Sequence, residues 1–283
     1  MMNKHTLALL KVHGTAVLFG ASGIFGALIQ SSADTLVLGR VWIAFFMISL
    51  YFLWQKQSLT PLAKKDIGQL ALSGVLLAAH WVTFFVAVKV GGVALATLGF
   101  AGFPAFVALF EVIFFKEKLH LKELILLVAI TIGLILVTPE FTLGSEGTQG
   151  LLWGVFSALS YGILAIVNRK SMSKLSGTQA SWWQYLFAGL ILLPFSAEKL
   201  LVVSAVDWFW IFCIGFLCTT VAYTLFVSSL DTINARTASM IISLEPVYAI
   251  AIAWICFNEV PTLRMLIGGA IILLSVAWAN LKK

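Results

Sequence analysis

Charged residues are scarce in this sequence. Asp, Glu, Lys and Arg together make up 11% of its 283 residues, against about a quarter in an ordinary soluble domain. So little polar surface excludes a chain that folds in water and leaves lipid as the solvent. Cysteine is rarer still. Cys213, Cys218 and Cys256 are an odd number, all inside apolar runs, and their spacing fits no metal site. That excludes a disulfide framework and reads them as packing residues. There is no glycine-rich phosphate loop, no zinc-spaced His/Cys cluster and no nucleotide fingerprint, so neither cofactor nor metal is expected. The net charge of +6 comes from basic residues scattered between apolar runs, which argues against a nucleic-acid partner. Rings of charge that would mark an ion channel are also missing.

What is present is apolar length. Residues AVILMFWYC form 61% of the chain, enough at about 20 residues per crossing for ten spans with short loops. The apolar runs predict helices over 12–30, 34–54, 67–88, 92–115, 121–138, 149–167, 178–196, 207–229, 234–257 and 261–280. The first run follows Lys4 and Lys11 but is longer than a signal-peptide core, so a retained helix is expected. With the N-terminus inside, 14 of the 18 Lys and Arg residues fall on the cytoplasmic side, leaving Arg40, Lys89, Lys199 and Arg264 towards the outside. This positive-inside pattern predicts a multi-pass protein of the cell (inner) membrane with both termini cytoplasmic.

The chain repeats itself. Pro104 and Pro246 stand 142 residues apart, as do Glu117 and Glu259 (104 to 246, 117 to 259), within FPAFVALFEVIFFKEKL at 103–119 and EPVYAIAIAWICFNEVP at 245–261. Phe84 and Phe226, and Ala96 and Ala238, match at the same offset, and Phe25-Gly26 resembles Tyr161-Gly162. Five spans per unit is odd, so the second copy must insert upside down relative to the first. The expected fold is an all-α membrane protein of ten transmembrane helices in two inverted five-helix repeats, residues 1–140 and 147–283.

Several residues stand out against this background. Pro104 and Pro246 lie near the centres of spans four and nine, where each removes a backbone hydrogen bond and frees carbonyls near Phe100 and Ile242. Such backbone survives at membrane depth only where protein or a wet cavity satisfies it. Paired breaks in corresponding helices point to a transporter's binding site. Glu245 precedes Pro246 at the middle of its span, with Tyr248 on the same helical face. Two readings stand for it: a substrate contact or proton-exchanging carboxyl, and a neutral acid bonded to the freed carbonyls. His80 is the one histidine at a span centre, in a stripe with Ser73 and Thr83 beside Trp81, and is read as cavity lining. Similar stripes run through Thr15, Ser22, Gly26 and Gln30, through Ser157, Ser160, Tyr161 and Asn168, and through Thr219, Thr220, Tyr223 and Thr224. One polar face per helix implies either a shared lumen or hydrogen bonds between helices. Glu111 is read as a gate or as reaching the interface near Lys116 and Lys118. Arg40 lies about 9 Å inside its helix end, in snorkelling range; two readings stand for it, attraction of an anionic substrate and, preferred, a gate or anchor at the interface. Gly20-Ala21-Ser22-Gly23 matches the GxSG of rhomboid proteases, but no motif places a partner histidine, and the small residues read as a packing seam.

These segments resemble the EamA-like family of the drug/metabolite transporter superfamily: two five-span repeats, each with a proline-bearing fourth helix and a following Glu, with Arg40 at the family's frequent arginine position. The resemblance spans essentially the whole chain. It implies a basket of ten helices working by alternating access around a cavity lined by helices three, four, eight and nine, with one and six contributing. Carried over position by position, it points to His80, Trp81, Pro104, Tyr223, Glu245 and Pro246. The first half has Phe103 where the second has Glu245, and the second lacks an equivalent of His80, so symmetry between halves does not identify the substrate. The expected activity is secondary transport of a small polar or amphipathic metabolite, an amino acid or derivative, outward across the bilayer. It would run as a uniport or with protons exchanged at Glu245 or His80, in a monomer or homodimer. A membrane-embedded hydrolase and a channel are the alternatives.

Overall fold

A computed structural model describes residues 3–116, 118, 120–139, 142–171, 175–230, 232–233 and 235–280. Glu117, used above for the repeat, and Lys174, Lys282 and Lys283, counted in the charge pattern, lie outside the described residues. Among the described residues the regular structure is entirely helical. The α-helices are α1 (Lys4–Leu28), α2 (Ala33–Trp54), α3 (Lys64–Phe100), α4 (Phe103–Phe115), α5 (Leu121–Val137), α6 (Glu146–Ser171), α7 (Gly177–Leu200), α8 (Ala205–Cys213), α9 (Ala222–Ser229), α10 (Ala235–Ile242), α11 (Glu245–Phe257) and α12 (Leu263–Asn280). A π-helical stretch, Ile214–Val221, joins α8 to α9. Some helices begin where a polar side chain takes up a free backbone N–H. Ser176 accepts from the Gln179 amide and Ser204 from the Asp207 amide, the ordinary N-cap arrangement.

Five stretches, Lys4–Leu28, Ala33–Trp54, Lys64–Phe100, Glu146–Arg169 and Ala205–Ser229, are long and apolar enough to cross a bilayer. The outer surface carries large apolar side chains such as Leu53, Trp54, Phe114, Ile255 and Leu274. Water would not tolerate such a surface and lipid favours it.

Two of the expected spans are broken rather than bent. Gly92 takes φ 83°, a left-handed conformation open to glycine at low cost, so α3 is interrupted there. The helix resumes to Phe100, stops over 101–102 and restarts as α4 with Pro104 in its first turn. In the second half α10 ends at Ile242, the chain turns over 243–244, and α11 restarts with Pro246 in its first turn. Proline lacks the N–H that a first turn does not use. The breaks are as expected, but the prolines do not sit at mid-helix as the sequence placed them: each opens a new helix. Both restarted helices end alike, in a left-handed residue at Lys116 (φ 55°, ψ 29°) and at Asn258 (φ 55°, ψ 28°).

Packing also comes in exchanged pairs. α1 packs on α9 and α11, α6 packs on α3 and α4, α2 lies along α7, and α5 lies along α12. Where α3 meets α6 the backbones touch, and a Cβ built on Gly150 would stand 2.3 Å from the Gly91 Cα. Polar contacts secure the two ends of the bundle. At one end, Asp207 accepts from the Gln30 and Ser31 amides at 3.0 and 2.8 Å. There too, Asp34 accepts from Ser196 and Lys199, both at 2.6 Å, and Lys89 donates to the Ile29 carbonyl. Also at that end, Glu259 lies 3.5 and 3.4 Å from the Val93 and Ala94 amides, where α3 resumes. At the other end, Thr60 donates to Gln179 at 2.8 Å and Arg169 pairs with Glu111 at 2.5 Å.

Candidate functional site

The breaks at 101–102 and 243–244 open onto a cavity of about 560 Å³. The residues flanking them, Phe100 and Phe103 on one side and Ile242 and Glu245 on the other, all line it. α1 contributes Phe19 and Ser22, α2 Arg40, α3 His80, Trp81 and Phe84, and α6 Tyr161 and Asn168. α7 brings Ser181, Gln184 and Tyr185; Cys218 and Thr219 come from the π-helical stretch and Tyr223 from α9. Of the residues singled out from the sequence, His80, Trp81, Tyr161, Tyr223 and Glu245 therefore meet around one space.

One wall is aromatic. The His80 ring centroid lies 4.8 Å from that of Phe100 and 4.9 Å from that of Tyr161. Phe103 stacks on Phe100 at 5.3 Å and meets Tyr161 edge-on at 5.2 Å. His80 is held by a reciprocal contact with α6. The Ser157 hydroxyl donates to the His80 carbonyl at 2.9 Å, while the His80 Nδ1 lies 2.7 Å from that hydroxyl and 3.3 Å from the Ser157 carbonyl.

Arg40 departs most from expectation. It is 5% exposed and lines the cavity, so it is not a snorkelling anchor. Its Nε donates to the Thr219 hydroxyl at 2.8 Å, and its guanidinium lies 3.7 Å from the Trp81 ring centroid, a stacked cation–π contact. Thr219 is itself fixed by donating to the Ile214 carbonyl five residues back, the spacing of the π-helical turn. No described side chain bonds the terminal guanidinium nitrogens or the Glu245 carboxyl, and the two residues form no ion pair with each other. Arg40 and Glu245 thus face one cavity with the terminal guanidinium nitrogens and the carboxyl unbonded to any described side chain.

Two further readings are corrected, those of Tyr248 and of the two prolines. Tyr248 does not share the cavity with Glu245: its hydroxyl lies 2.9 Å from the His13 Nδ1 of α1. Pro104 and Pro246 act through the breaks they permit, and the residue before each lines the cavity while neither proline does. Glu111 pairs with Arg169 near the surface, with side chains 28% and 49% exposed, and stands away from the cavity. Ser22 does line the cavity. Its neighbour Gly20 meets α11, where an added Cβ would come 3.0 Å from the Ala249 nitrogen, so the GxSG segment is a packing seam.

Sequence reasoning missed Ser181, Gln184 and Tyr185, although their spacing puts them on one helical face and would have marked α7 as a fifth polar stripe. It also missed Phe100 and Phe103, whose signal is adjacency to Pro104.

Comparison with known proteins fits this architecture. The EamA-like transporter family matches residues 6–138 and again 148–281. An uncharacterized transporter of Archaeoglobus fulgidus is 27% identical over 93% of this chain and 93% of its own. The pseudopaline exporter CntI of Pseudomonas aeruginosa is 21% identical over 92% of each. The S-adenosylmethionine uptake transporter of Rickettsia conorii is 23% identical over 71% of this chain and 68% of its own. One solved protein structure superposes with a TM-score of 0.62 over 95% of each chain at 14% identity, a likeness of fold alone. With both matched stretches together covering nearly all of it, the chain belongs to the EamA-like transporter family of the drug/metabolite transporter superfamily, multi-pass membrane proteins that carry small molecules and are not enzymes.

Proposed function

We propose that this protein exports a small zwitterionic metabolite, an amino acid or derivative, by alternating access. Its ten spans form two inverted repeats, residues 1–140 and 147–283, in the inner membrane with both termini cytoplasmic. The observation that carries the reading is that Arg40 and Glu245, side chains of opposite ionic type, face one cavity without a direct ion pair between them. Unpaired charge at membrane depth is costly. A ligand that brings a carboxylate to the Arg40 fork and an ammonium to Glu245 satisfies both at once, and the aromatic wall accepts the rest of the molecule. The proposed contacts are thus Arg40, His80, Trp81, Tyr161, Tyr223 and Glu245. Glu245 would also exchange a proton if transport is coupled.

The inverted relation draws support from the family match falling in two stretches, from breaks and left-handed ends at the same 142-residue offset (101 to 243, 116 to 258), and from the exchanged packing pairs. Contacts to Glu259 and to Glu111 at opposite ends of the bundle agree with it. The outward direction leans on the likeness to an exporter over 92% of both chains. The test is counterflow in proteoliposomes loaded with mixed amino acids. Saturable exchange is expected; ion conductance without saturable exchange would replace the carrier by a channel.

A further inference from the structure

We infer that His80 selects substrates carrying an N–H or O–H donor on the side chain, through an acceptor nitrogen that Ser157 leaves facing the cavity. This rests on the zwitterion reading above and adds a third point of recognition to its two charged ones.

The hydrogen-bond geometry favours a proton on the Nδ1 of the ring. The Ser157 hydroxyl has one proton, and it goes to the His80 carbonyl at 2.9 Å. The Ser157 carbonyl can only accept. We assign the proton between Nδ1 and these two oxygens, at 2.7 and 3.3 Å, to the His80 ring, which then donates from Nδ1. A neutral imidazole with Nδ1 protonated presents Nε2 as an acceptor. No described group bonds Nε2, and it is not among the buried polar atoms cut off from every partner. The ring itself lines the cavity. Packing against Phe100 and Tyr161 holds it in place, so the acceptor is preorganised against an aromatic wall. A side chain without a donor leaves that nitrogen desolvated and unpaired, whereas one with a hydroxyl or amine satisfies it. Sites built to bond such a group discriminate more strongly than apolar pockets do. Ser157 is a positioning residue here. It fixes the tautomer and touches no ligand.

The experiment uses counterflow in proteoliposomes with two shape-matched pairs of amino acids, tyrosine with phenylalanine and threonine with valine. The wild type is expected to favour the hydroxyl-bearing member of at least one pair by about tenfold. His80→Phe keeps a ring in the wall and leaves Ser157 its bond to the backbone, so it should bring that ratio within about threefold. Equal affinities in the wild type, or a ratio unchanged in His80→Phe, overturn the inference while leaving the zwitterion reading intact. A wild type that exchanges no amino acid removes both. Because His80→Phe could fail to fold, the tautomer is also read directly by 15N NMR of histidine-labelled wild-type protein. The Nδ1-protonated pattern is expected at His80, and an Nε2-protonated pattern overturns the inference.

Discussion

Replacing Arg40 by Gln tests the charge arrangement most directly. In the proposed complex the guanidinium fork takes the substrate carboxylate while Trp81 supports it from behind at 3.7 Å. Removing one partner of such a desolvated, hydrogen-bonded charge pair costs about 2–5 kcal/mol. At about 1.4 kcal/mol per tenfold, that is a loss of roughly 30- to 4,000-fold in affinity. The loss should be chemically selective. Wild type should prefer a free amino acid over its carboxamide, and Arg40→Gln should bind the two alike, because the carboxamide never engaged the full charge. Arg40→Lys keeps the charge but loses the planar fork and most of the stack, a cost of about 0.5–2 kcal/mol. Its affinity should fall between wild type and Arg40→Gln. The assay is competition for labelled substrate in proteoliposome counterflow. An acid-to-carboxamide preference that survives Arg40→Gln refutes the assignment, whatever happens to overall transport.

Four other outcomes are expected. Glu245→Gln should weaken substrate exchange, because the ammonium loses its charged partner, and should abolish a pH-driven component; unchanged pH dependence of counterflow in that variant would remove proton antiport. Single cysteines placed at 118 and 259 should react with an impermeant maleimide from opposite faces of the membrane, and labelling from the same face would end the inverted-repeat reading. Gly150→Leu should lower the melting temperature by several degrees, because its Cβ alone would lie 2.3 Å from the Gly91 Cα, an overpacking worth about 1–3 kcal/mol. Glu111→Gln should leave transport within about twofold of wild type, since a partly exposed ion pair contributes about 0–1 kcal/mol.

Much of this structure is legible in the residues. Apolar run lengths place the helices, and the proline pair places the breaks, because both are local properties of the chain. Glu245 and His80 are found because polarity at membrane depth needs a reason. Arg40 is misplaced from sequence because counting residues from a helix end measures depth along the bundle, whereas its position depends on how α2 is rotated towards α3 and the π-helical stretch. The same limit explains Tyr248. A shared helical face follows from spacing, but which of its residues reaches the cavity and which meets His13 depends on α1. Nothing in the residues announces the π-helical stretch itself. Its trace is the pair Thr219 and Thr220, whose hydroxyls reach carbonyls five positions back.

The left-handed residues that close α4 and α11 carry a consequence of their own. Both halves make the same hook with the same backbone angles, yet the second makes it with asparagine and the first with lysine. Asparagine visits that conformation readily, and a long side chain enters it at a cost of about 1–2 kcal/mol. The two ends of the basket are therefore unequally tensioned. Fraying should begin at the lysine hook, and amide exchange should be faster in the last turn of α4 than in that of α11. A duplicated fold need not open evenly, and here the weaker clasp lies in the first half.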